Sequence, residues 1–149
     1  MRERVIVKYK KFDESKDVYV PRYKTSGSSG MDLSSIEMDF WMEPSDTKIV
    51  LTNLSVEIPE GYEIQIRPRS GLAAMYSITV LNTPGTIDSD YRGEIKVILY
   101  NAGKVAHKIC KGDRIAQMIL AKVHKMELYA DKLSETERNF GGFGSTGTK

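Results

Sequence analysis

The feature that most constrains the fold is a two-residue alternation of apolar and polar side chains. It is clearest at 62–67, where Tyr62, Ile64 and Ile66 alternate with charged or amide residues. Successive side chains of a β-strand point to opposite faces, so this period fits a strand with one buried face. A helix would instead show a period of about 3.6 residues. The alternation therefore predicts a strand here.

Short apolar runs recur along the chain, separated by turn-forming residues roughly every 8 to 12 positions. Strands are predicted at 5–9, 49–51, 56–58, 78–81, 95–100, 105–109 and 115–123, with another entered from the turn at 25–35. One short helix is predicted at 70–76, with Ser70 as its N-cap. No long helical pattern is present, so the sequence predicts an all-β sandwich or barrel.

Composition limits the possible functions. The 149 residues, 40% hydrophobic, suit one domain spanning 1–149. The formal charge of +2 disfavours a protein that coats nucleic acid or an anionic membrane, and no stretch approaches the roughly 20 apolar residues of a membrane helix. The single cysteine, Cys110, excludes intrachain disulfides and is expected to be buried. We expect a soluble, cytoplasmic protein.

The last segment of the chain changes character. Charged residues at 131–138 are followed by a glycine-rich stretch at 139–147. Such a composition cannot build a packed core, so residues from about 131 to 149 are predicted to form an arm that is mobile when alone.

A loop at 81–94 is the leading candidate for a functional site. It contains a Pro-Gly turn, two closely spaced carboxylates, Asp88 and Asp90, and Tyr91. The strand after it places Ile95, Val97 and Leu99 on one face, which would anchor the loop as a hairpin that presents polar groups. Either carboxylate could act as a general base or simply form the turn.

Four other segments combine glycine with hydroxyl, arginine or acidic residues: 28–32, 67–71, 112–117 and 138–147. Glycine allows backbone amides to approach an anion, hydroxyls add hydrogen bonds, and arginine offers a planar fork that matches phosphate oxygens. Singly, each segment is more often an ordinary turn or cap. Together they indicate a polyphosphate site.

In this order and at this spacing, the loop and the four segments closely resemble the five motifs of the trimeric dUTPases. The motifs correspond to 26–34, 68–73, 82–91, 112–117 and 138–147. The resemblance is specific because the pattern Gly85-x-Ile87-Asp88-x-x-Tyr91 and the run from Gly141 to Gly147 are both long and unusual.

This resemblance implies a jelly-roll-like β-barrel that forms a homotrimer with shared active sites. The arm of one subunit would complete the site of a neighbour. The implied reaction is the hydrolysis of dUTP to dUMP and pyrophosphate through attack of water at the α-phosphorus. The product would supply dTMP synthesis, and the removal of dUTP would keep uracil out of DNA.

The resemblance also assigns roles in the base and sugar pocket. Asp88 would be the general base that activates the water. Tyr91 would pack against the deoxyribose and exclude a 2′-hydroxyl, while Asn82 would contact the base or sugar. The main chain at Thr86, Ile87 and Lys96 would read the uracil edge. Without the resemblance, Tyr91 could be a core aromatic and Asn82 a turn cap.

The remaining roles concern the phosphates and the metal. Gln117 would donate to the α-phosphate, although a strand glutamine on a solvent face would look the same. Asp32 would serve a Mg²⁺ site through water, with the metal held chiefly by the substrate phosphates. The other implied contacts are Arg69, Ser70 and Gly71 for phosphate, Arg138 for the γ-phosphate, Phe143 stacked on uracil, and Gly144, Ser145 and Thr146 at the terminal phosphates.

Three alternative functions remain open, and the sequence departs from the family pattern at three positions. A dCTP deaminase on the same fold, a non-catalytic nucleotide-binding regulator and a nucleic-acid-binding β-domain would each explain part of the pattern. Asn53, Ser77 and Asn139 stand where the family commonly has glycine, and Asn is among the residues that best tolerate positive φ.

Overall fold

The computed structural model describes residues 4–145 and 147, and this part of the chain contains eleven strands and one short helix. The strands are β1 (Lys8–Lys11), β2 (Met31–Ser34), β3 (Phe40–Met42), β4 (Thr47–Leu51), β5 (Leu54–Glu57), β6 (Tyr62–Arg67), β7 (Ile78–Val80), β8 (Gly85–Ile87), β9 (Lys96–Asn101), β10 (His107–Ile109) and β11 (Arg114–Lys122), and the helix is α1 (Ser70–Tyr76). The all-β fold with one short helix is therefore confirmed. No helix within the described residues is both long and apolar enough to cross a membrane.

The strands form antiparallel sheets of different widths. A four-stranded sheet has the order β2-β11-β6-β8, and a three-stranded sheet has the order β4-β9-β7. Two further two-stranded sheets are formed by β1 with β5 and by β10 with β3. Because neighbouring strands are often far apart in sequence, the sheets hold distant motifs in fixed positions relative to one another.

The core lies between the inward faces of these sheets. Ile64 and Ile66 of β6 are buried, as are Val97 and Leu99 of β9, in agreement with the predicted alternation. Ile95 precedes β9 and is also buried. Burying apolar side chains stabilises the fold by about 25 cal/mol per Å² of apolar surface, so these strands give the loops a rigid base.

The segment between β7 and β9 is a hairpin with an extra strand in its loop. β7 and β9 pair antiparallel, and the N–H of Leu81 donates to the carbonyl oxygen of Ile98 at 2.8 Å. Inside the loop, β8 pairs with β6, which belongs to the other large sheet. The predicted hairpin is therefore confirmed, and its tip is attached to a second sheet rather than projecting freely.

The first strand begins later than the sequence pattern predicts. It covers 8–11 instead of 5–9, and Lys8 pairs with Glu57 of β5. Extension toward the N-terminus would place Ile6 opposite Pro59, which has no N–H to donate to the ladder. The partner strand, and not the apolar run itself, determines where β1 starts.

Three other predictions needed correction. The helix N-cap is Arg69, so Ser70 is the first helical residue and not the cap. Strand β3 was not predicted because three residues are too few to show a period, and it forms by pairing with β10. Cys110 is half-buried rather than fully buried, since it follows β10 at the sheet edge.

The three residues found at expected glycine positions adopt left-handed backbone conformations. Their φ angles are 55° at Asn53, 56° at Ser77 and 41° at Asn139. This conformation is the one that glycine adopts most easily. At these positions the backbone therefore has a conformation that glycine adopts easily, although the residues are Asn and Ser.

Candidate functional site

A cavity of about 320 Å³ opens where the hairpin loop meets β9. It is lined by Ile49, Thr86, Ile87, Asp88, Tyr91, Glu94, Lys96 and Ile98. Strands β8 and β9, which flank the loop, both line the cavity. Pairing with β6 holds β8 in place, and pairing with β4 and β7 holds β9. The sequence-predicted residues Thr86, Ile87, Asp88, Tyr91 and Lys96 are brought together here. We call this cavity the base pocket.

Tyr91 belongs to the wall of the base pocket and not to the core. Its side chain is 41% exposed, which rules out the core-aromatic interpretation. Its hydroxyl donates a hydrogen bond to the main-chain oxygen of Glu94 at 2.9 Å. The ring therefore has one fixed end and presents a face to the pocket.

Asp88 is better placed than Asp90 to act in the base pocket. A turn in which the Tyr91 N–H donates to the Asp88 carbonyl oxygen at 3.1 Å holds Asp88 beside Tyr91. Asp88 and Asp90 both line a neighbouring groove of about 770 Å³ beside residues 57–63, but of the two only Asp88 also lines the base pocket. Within the described residues the Asp88 side chain is exposed and makes no hydrogen bond or ion pair, so its carboxylate is available to orient a water.

Asn82 lies at the base of the loop, outside the lining of the base pocket. A Cβ built on Gly85 would come within 3.2 Å of the Asn82 amide nitrogen, so this side chain packs closely against the start of β8. Its contact with a base or sugar remains a prediction, since the residue borders the loop but not the cavity.

A second cluster of polar groups surrounds Asp32 of β2. Its two carboxylate oxygens face two arginines, with Arg69 Nε at 3.3 Å from Oδ1 and Arg114 Nη1 at 3.1 Å from Oδ2. Arg69 also donates through Nη1 to the main-chain oxygen of Arg114 at 2.9 Å. We call this group the arginine cluster. Two guanidinium groups on one carboxylate leave a net positive site suited to anions.

Arg114 was given no role in the sequence interpretation. Its position in the Gly112-Asp113-Arg114 segment was noted, but nothing local indicates that its side chain reaches Asp32. The contact depends on the pairing of β11 with β2, in which Arg114 lies opposite Ser34. A strand-pairing argument between the first and fourth segments could have found it.

Gln117 and the start of α1 lie beside the arginine cluster. Gln117 pairs with Asp32 on one side and Arg67 on the other, and its side-chain nitrogen donates to the Pro68 carbonyl oxygen at 3.0 Å. Ser70 and Gly71 are exposed, and a Cβ on Gly71 would meet nothing within 4 Å. The sequence-predicted phosphate residues of two motifs and the predicted metal residue Asp32 therefore meet at one edge of the sheet.

The base pocket and the arginine cluster lie at opposite ends of β6. Ile87 of β8 pairs with Ile64, whereas Gln117 of β11 pairs with Arg67. Asp88 therefore lies next to Glu63. The backbones of Asp88 and Gln117 are separated by about four residues along β6 and by two strand spacings across the sheet. These steps correspond to roughly 16 Å between backbones. One chain does not bring Asp88 and Gln117 to the same phosphorus atom.

The described part of the C-terminal arm forms no hydrogen bond or ion pair with either region. Its hydrogen bonds are local, such as Arg138 Nε to the Gly141 carbonyl oxygen at 2.8 Å. Phe143 and its neighbours Gly144 and Ser145 are exposed. Thr146 lies outside the described residues. The structure of one chain thus does not bring the predicted arm residues to the rest of the site.

Asp32 is the residue predicted to serve a magnesium ion. Among the described residues, no group of three or more His, Cys, Asp or Glu side chains is arranged to hold a metal. The donor set around Asp32 is a single carboxylate with arginine partners. A single carboxylate beside two arginines cannot hold a magnesium ion by itself, so the ion would be held mainly by substrate phosphates and keep much of its water, with Asp32 contacting it through water.

A base-sized pocket with a free carboxylate, together with an arginine-rich anion site on an all-β barrel, defines a nucleotide-binding β-barrel protein. The dUTPase family model matches residues 16–147. This chain therefore belongs to the dUTPase family.

Curated relatives support the assignment over nearly the whole chain. A deoxyuridine 5′-triphosphate nucleotidohydrolase of Thermoanaerobacter sp. (strain X514) is 50% identical, covering 96% of this chain and 98% of the relative. Another, from Neorickettsia sennetsu, is 55% identical, covering 90% and 91% respectively.

Solved structures show the same fold at lower identity. A dUTPase of Staphylococcus bacteriophage 80alpha with dUpNHpp has a TM-score of 0.85 at 24% identity, with 96% of this chain and 99% of that chain covered. A dUTPase variant from phage phi11 of S. aureus, described with a structural Mg(II) ion, has a TM-score of 0.75 at 20% identity, with 89% and 99% covered. These similarities confirm the jelly-roll architecture of the barrel.

Proposed function

We propose that this protein hydrolyses dUTP to dUMP and pyrophosphate. The observation that carries the proposal is the placement of an unpartnered Asp88 carboxylate beside Tyr91 in a pocket of about 320 Å³. A pocket of this size suits a pyrimidine and part of its sugar. The names of the curated relatives support the same activity.

In the proposed reaction, Asp88 accepts a proton from a bound water. The water oxygen forms a bond to the α-phosphorus, and the bond from that phosphorus to the bridging oxygen of the β-phosphate breaks. Pyrophosphate leaves with the electron pair of the broken bond. A general base of this kind contributes about 10²-fold to 10⁴-fold to the rate.

The base pocket would select the nucleotide by two means. Main-chain groups at Thr86, Ile87 and Lys96 would pair with the uracil edge, and cytosine would leave these polar groups unpaired. The ring of Tyr91 would occupy the space that a 2′-hydroxyl needs. Steric exclusion is required because an apolar surface by itself rejects an added hydroxyl poorly.

We further propose that each active site is shared between subunits of a homotrimer. The separation of roughly 16 Å between the backbones of Asp88 and Gln117 supports this arrangement, because both residues must approach one α-phosphate. A second copy would supply Arg69, Ser70, Gly71 and Gln117. The arm, with Arg138, Phe143, Gly144, Ser145 and Thr146, would close the site from a third copy.

Magnesium is proposed as the cofactor. When bound to the triphosphate, it would neutralise part of the phosphate charge, and Asp32 would contact it through water. Arg69 and Arg114 hold Asp32 in place, so the chain's own contribution is to position this carboxylate near the phosphates. In a cytoplasmic location, which we also propose, the product dUMP would be available for dTMP synthesis and uracil would be kept out of DNA.

The first test is pyrophosphate release from dUTP, UTP, dCTP and dTTP, with magnesium and with excess chelator. Release from dUTP alone, suppressed by the chelator, is expected. Ammonia from dCTP would instead indicate a deaminase. Binding of dUTP without any hydrolysis would indicate a regulatory nucleotide-binding protein.

The second test replaces Asp88 with asparagine, and Asp90→Asn serves as the matched control. Asp88→Asn should retain dUTP binding and lose at least about 10²-fold in kcat, because the amide cannot accept the proton. Asp90→Asn should keep most of the activity, because Asp90 does not line the base pocket. If Asp88→Asn turned over dUTP at the normal rate, the general-base assignment would be wrong.

A further inference from the structure

The ring of Tyr91 lies directly against the main chain of Gly93. A Cβ built at Gly93 would lie 2.5 Å from Cζ and 2.9 Å from Cε2 of this ring, and it would overlap the hydroxyl oxygen. Real Cβ atoms essentially never approach other atoms within 3.0 Å. Any side chain at position 93 must therefore displace the ring.

The backbone of Gly93 does not itself require glycine. The glycines with positive φ among the described residues are Gly61, Gly112, Gly144 and Gly147, and Gly93 is not one of them. An alanine could adopt the same backbone conformation without the strain of the left-handed region. The need for glycine at this position comes from the ring of Tyr91.

The hydroxyl end of the ring is held by the next residue. Tyr91 Oη donates to the main-chain oxygen of Glu94 at 2.9 Å. Glu94 is only 7% exposed, and its Oε1 accepts a hydrogen bond from the backbone N–H of Asn53 at 2.8 Å. The carboxylate of Glu94 thus links the hairpin loop to the segment before β5.

Further hydrogen bonds fix residues 93–95, although they belong to no strand. The hydroxyl of Ser55 donates to the Gly93 carbonyl oxygen at 3.2 Å, and the N–H of Ile95 donates to the Leu54 carbonyl oxygen at 2.8 Å. The surface under Tyr91 is therefore a rigid part of the barrel and not a mobile turn.

We propose that Gly93 and Glu94 form a platform that fixes the ring of Tyr91 and thereby sets the discrimination between deoxyribose and ribose. Both are positioning residues that act through Tyr91. The inference rests on the proposed function. Steric exclusion of one hydroxyl needs a ring held to within about 0.5 Å, because a ring that can move aside leaves room for the 2′-oxygen.

The main test is Gly93→Ala, with kcat and KM measured for dUTP and UTP. The ratio of kcat/KM for dUTP to that for UTP is expected to fall about tenfold or more, mainly through a lower KM for UTP, because the displaced ring leaves room for the 2′-hydroxyl. Gly103→Ala is the matched control, because its added Cβ would lie 3.1 Å from Ser77 Cβ, away from the base pocket. This control should leave the ratio unchanged.

Three further single variants and one double variant examine the anchored end of the ring. Glu94→Gln keeps an oxygen that can accept the Asn53 N–H and should keep the ratio within about twofold of wild type, whereas Glu94→Ala should lower it. Tyr91→Phe removes the hydroxyl, which is the nearest atom to the added Cβ. The loss of selectivity in the Gly93→Ala/Tyr91→Phe double variant should therefore be smaller than the two single losses combined.

The outcomes separate this inference from the proposed function. If the wild-type protein does not release pyrophosphate from dUTP, the proposed function fails. If wild type prefers dUTP and a folded Gly93→Ala variant shows the wild-type ratio, the platform is overturned. Should Gly93→Ala not fold, a wild-type ratio in both Glu94→Ala and Tyr91→Phe would overturn it, and lowered ratios would support it.

Discussion

Replacement of Asn53 should destabilise the fold strongly, although this residue lies in the short connection between β4 and β5 and not in a strand. The side chain is 1% exposed and joins β5 to the loop at 13–17. Its Oδ1 accepts the Asp13 N–H at 2.8 Å, and its Nδ2 lies 3.0, 3.2 and 3.0 Å from the carbonyl oxygens of Asp13, Lys16 and Asp17. An amide nitrogen has two hydrogens, so three side-chain hydrogen bonds can form at once.

The expected magnitude follows from these contacts. Each hydrogen bond contributes about 1 kcal/mol, so Asn53→Gly should lower the free energy of unfolding by about 3 kcal/mol. Asn53→Ala should lower the free energy of unfolding by about 1 kcal/mol more than Asn53→Gly does. The φ of 55° is a left-handed backbone conformation, which is strained for alanine because of its Cβ. The difference between the two variants measures the backbone strain separately from the lost hydrogen bonds.

Urea unfolding at one fixed protein concentration is the appropriate assay, since subunit association would make apparent stability depend on concentration. Ser45→Gly is the control, because Ser45 is exposed with a φ of 70°. This variant should change stability by no more than about 0.5 kcal/mol. If both Asn53 variants unfolded within about 0.5 kcal/mol of wild type, the hydrogen bonds to the loop would not be stabilising and the reasoning would be refuted.

Three other predictions concern the arginine cluster and the single cysteine. Arg69→Lys should raise the KM for dUTP about tenfold in steady-state kinetics with an unchanged melting temperature, because lysine cannot contact both Asp32 and a phosphate with a planar fork. Gly30→Ala should lower kcat/KM, because its Cβ would lie 2.8 Å from Gln117 Oε1 and displace that side chain; unchanged kinetics would contradict this. Burial and the negative charge of Asp39 raise the pKa of the Cys110 thiol, so at pH 8 less thiolate is present and labelling by a thiol reagent should be slower than for a free cysteine. Asp39→Asn should speed that labelling, and an equal rate would show that the charge has no effect.

Local sequence patterns determined much of the fold. The alternation at 62–67 and 95–100 identified β6 and β9, because one buried face imposes a period of two on a strand. The helix at 70–76 was also predictable from neighbouring residues alone, whereas the positive φ at Asn53 was expected from the family resemblance, because glycine is common there and Asn tolerates this conformation. The motif segments placed Asp88 and Tyr91 in one loop because only three positions separate them.

Other features depended on contacts between distant residues. The start of β1 follows from its partner β5, β3 exists only through pairing with β10, and β8 is bound to β6 rather than to its sequence neighbours. The pattern of residues along one sequence does not specify which distant strand a given strand will pair with. Strand pairing and register therefore appeared only in the tertiary structure.

The candidate site likewise combines features set by the sequence with features set by the tertiary structure. The sequence by itself determined which residue types are present and which lie in the same loop, because chain connectivity keeps Asp88 within one turn of Tyr91. Only the tertiary structure decided that Arg114 meets Asp32, that Glu94 accepts a hydrogen bond from Asn53, and that the base pocket and the arginine cluster lie at opposite ends of β6. The physical reason is that these contacts are created by strand pairing and register, which join residues far apart in the chain: the separation is 41 positions between Asn53 and Glu94 and 82 between Asp32 and Arg114.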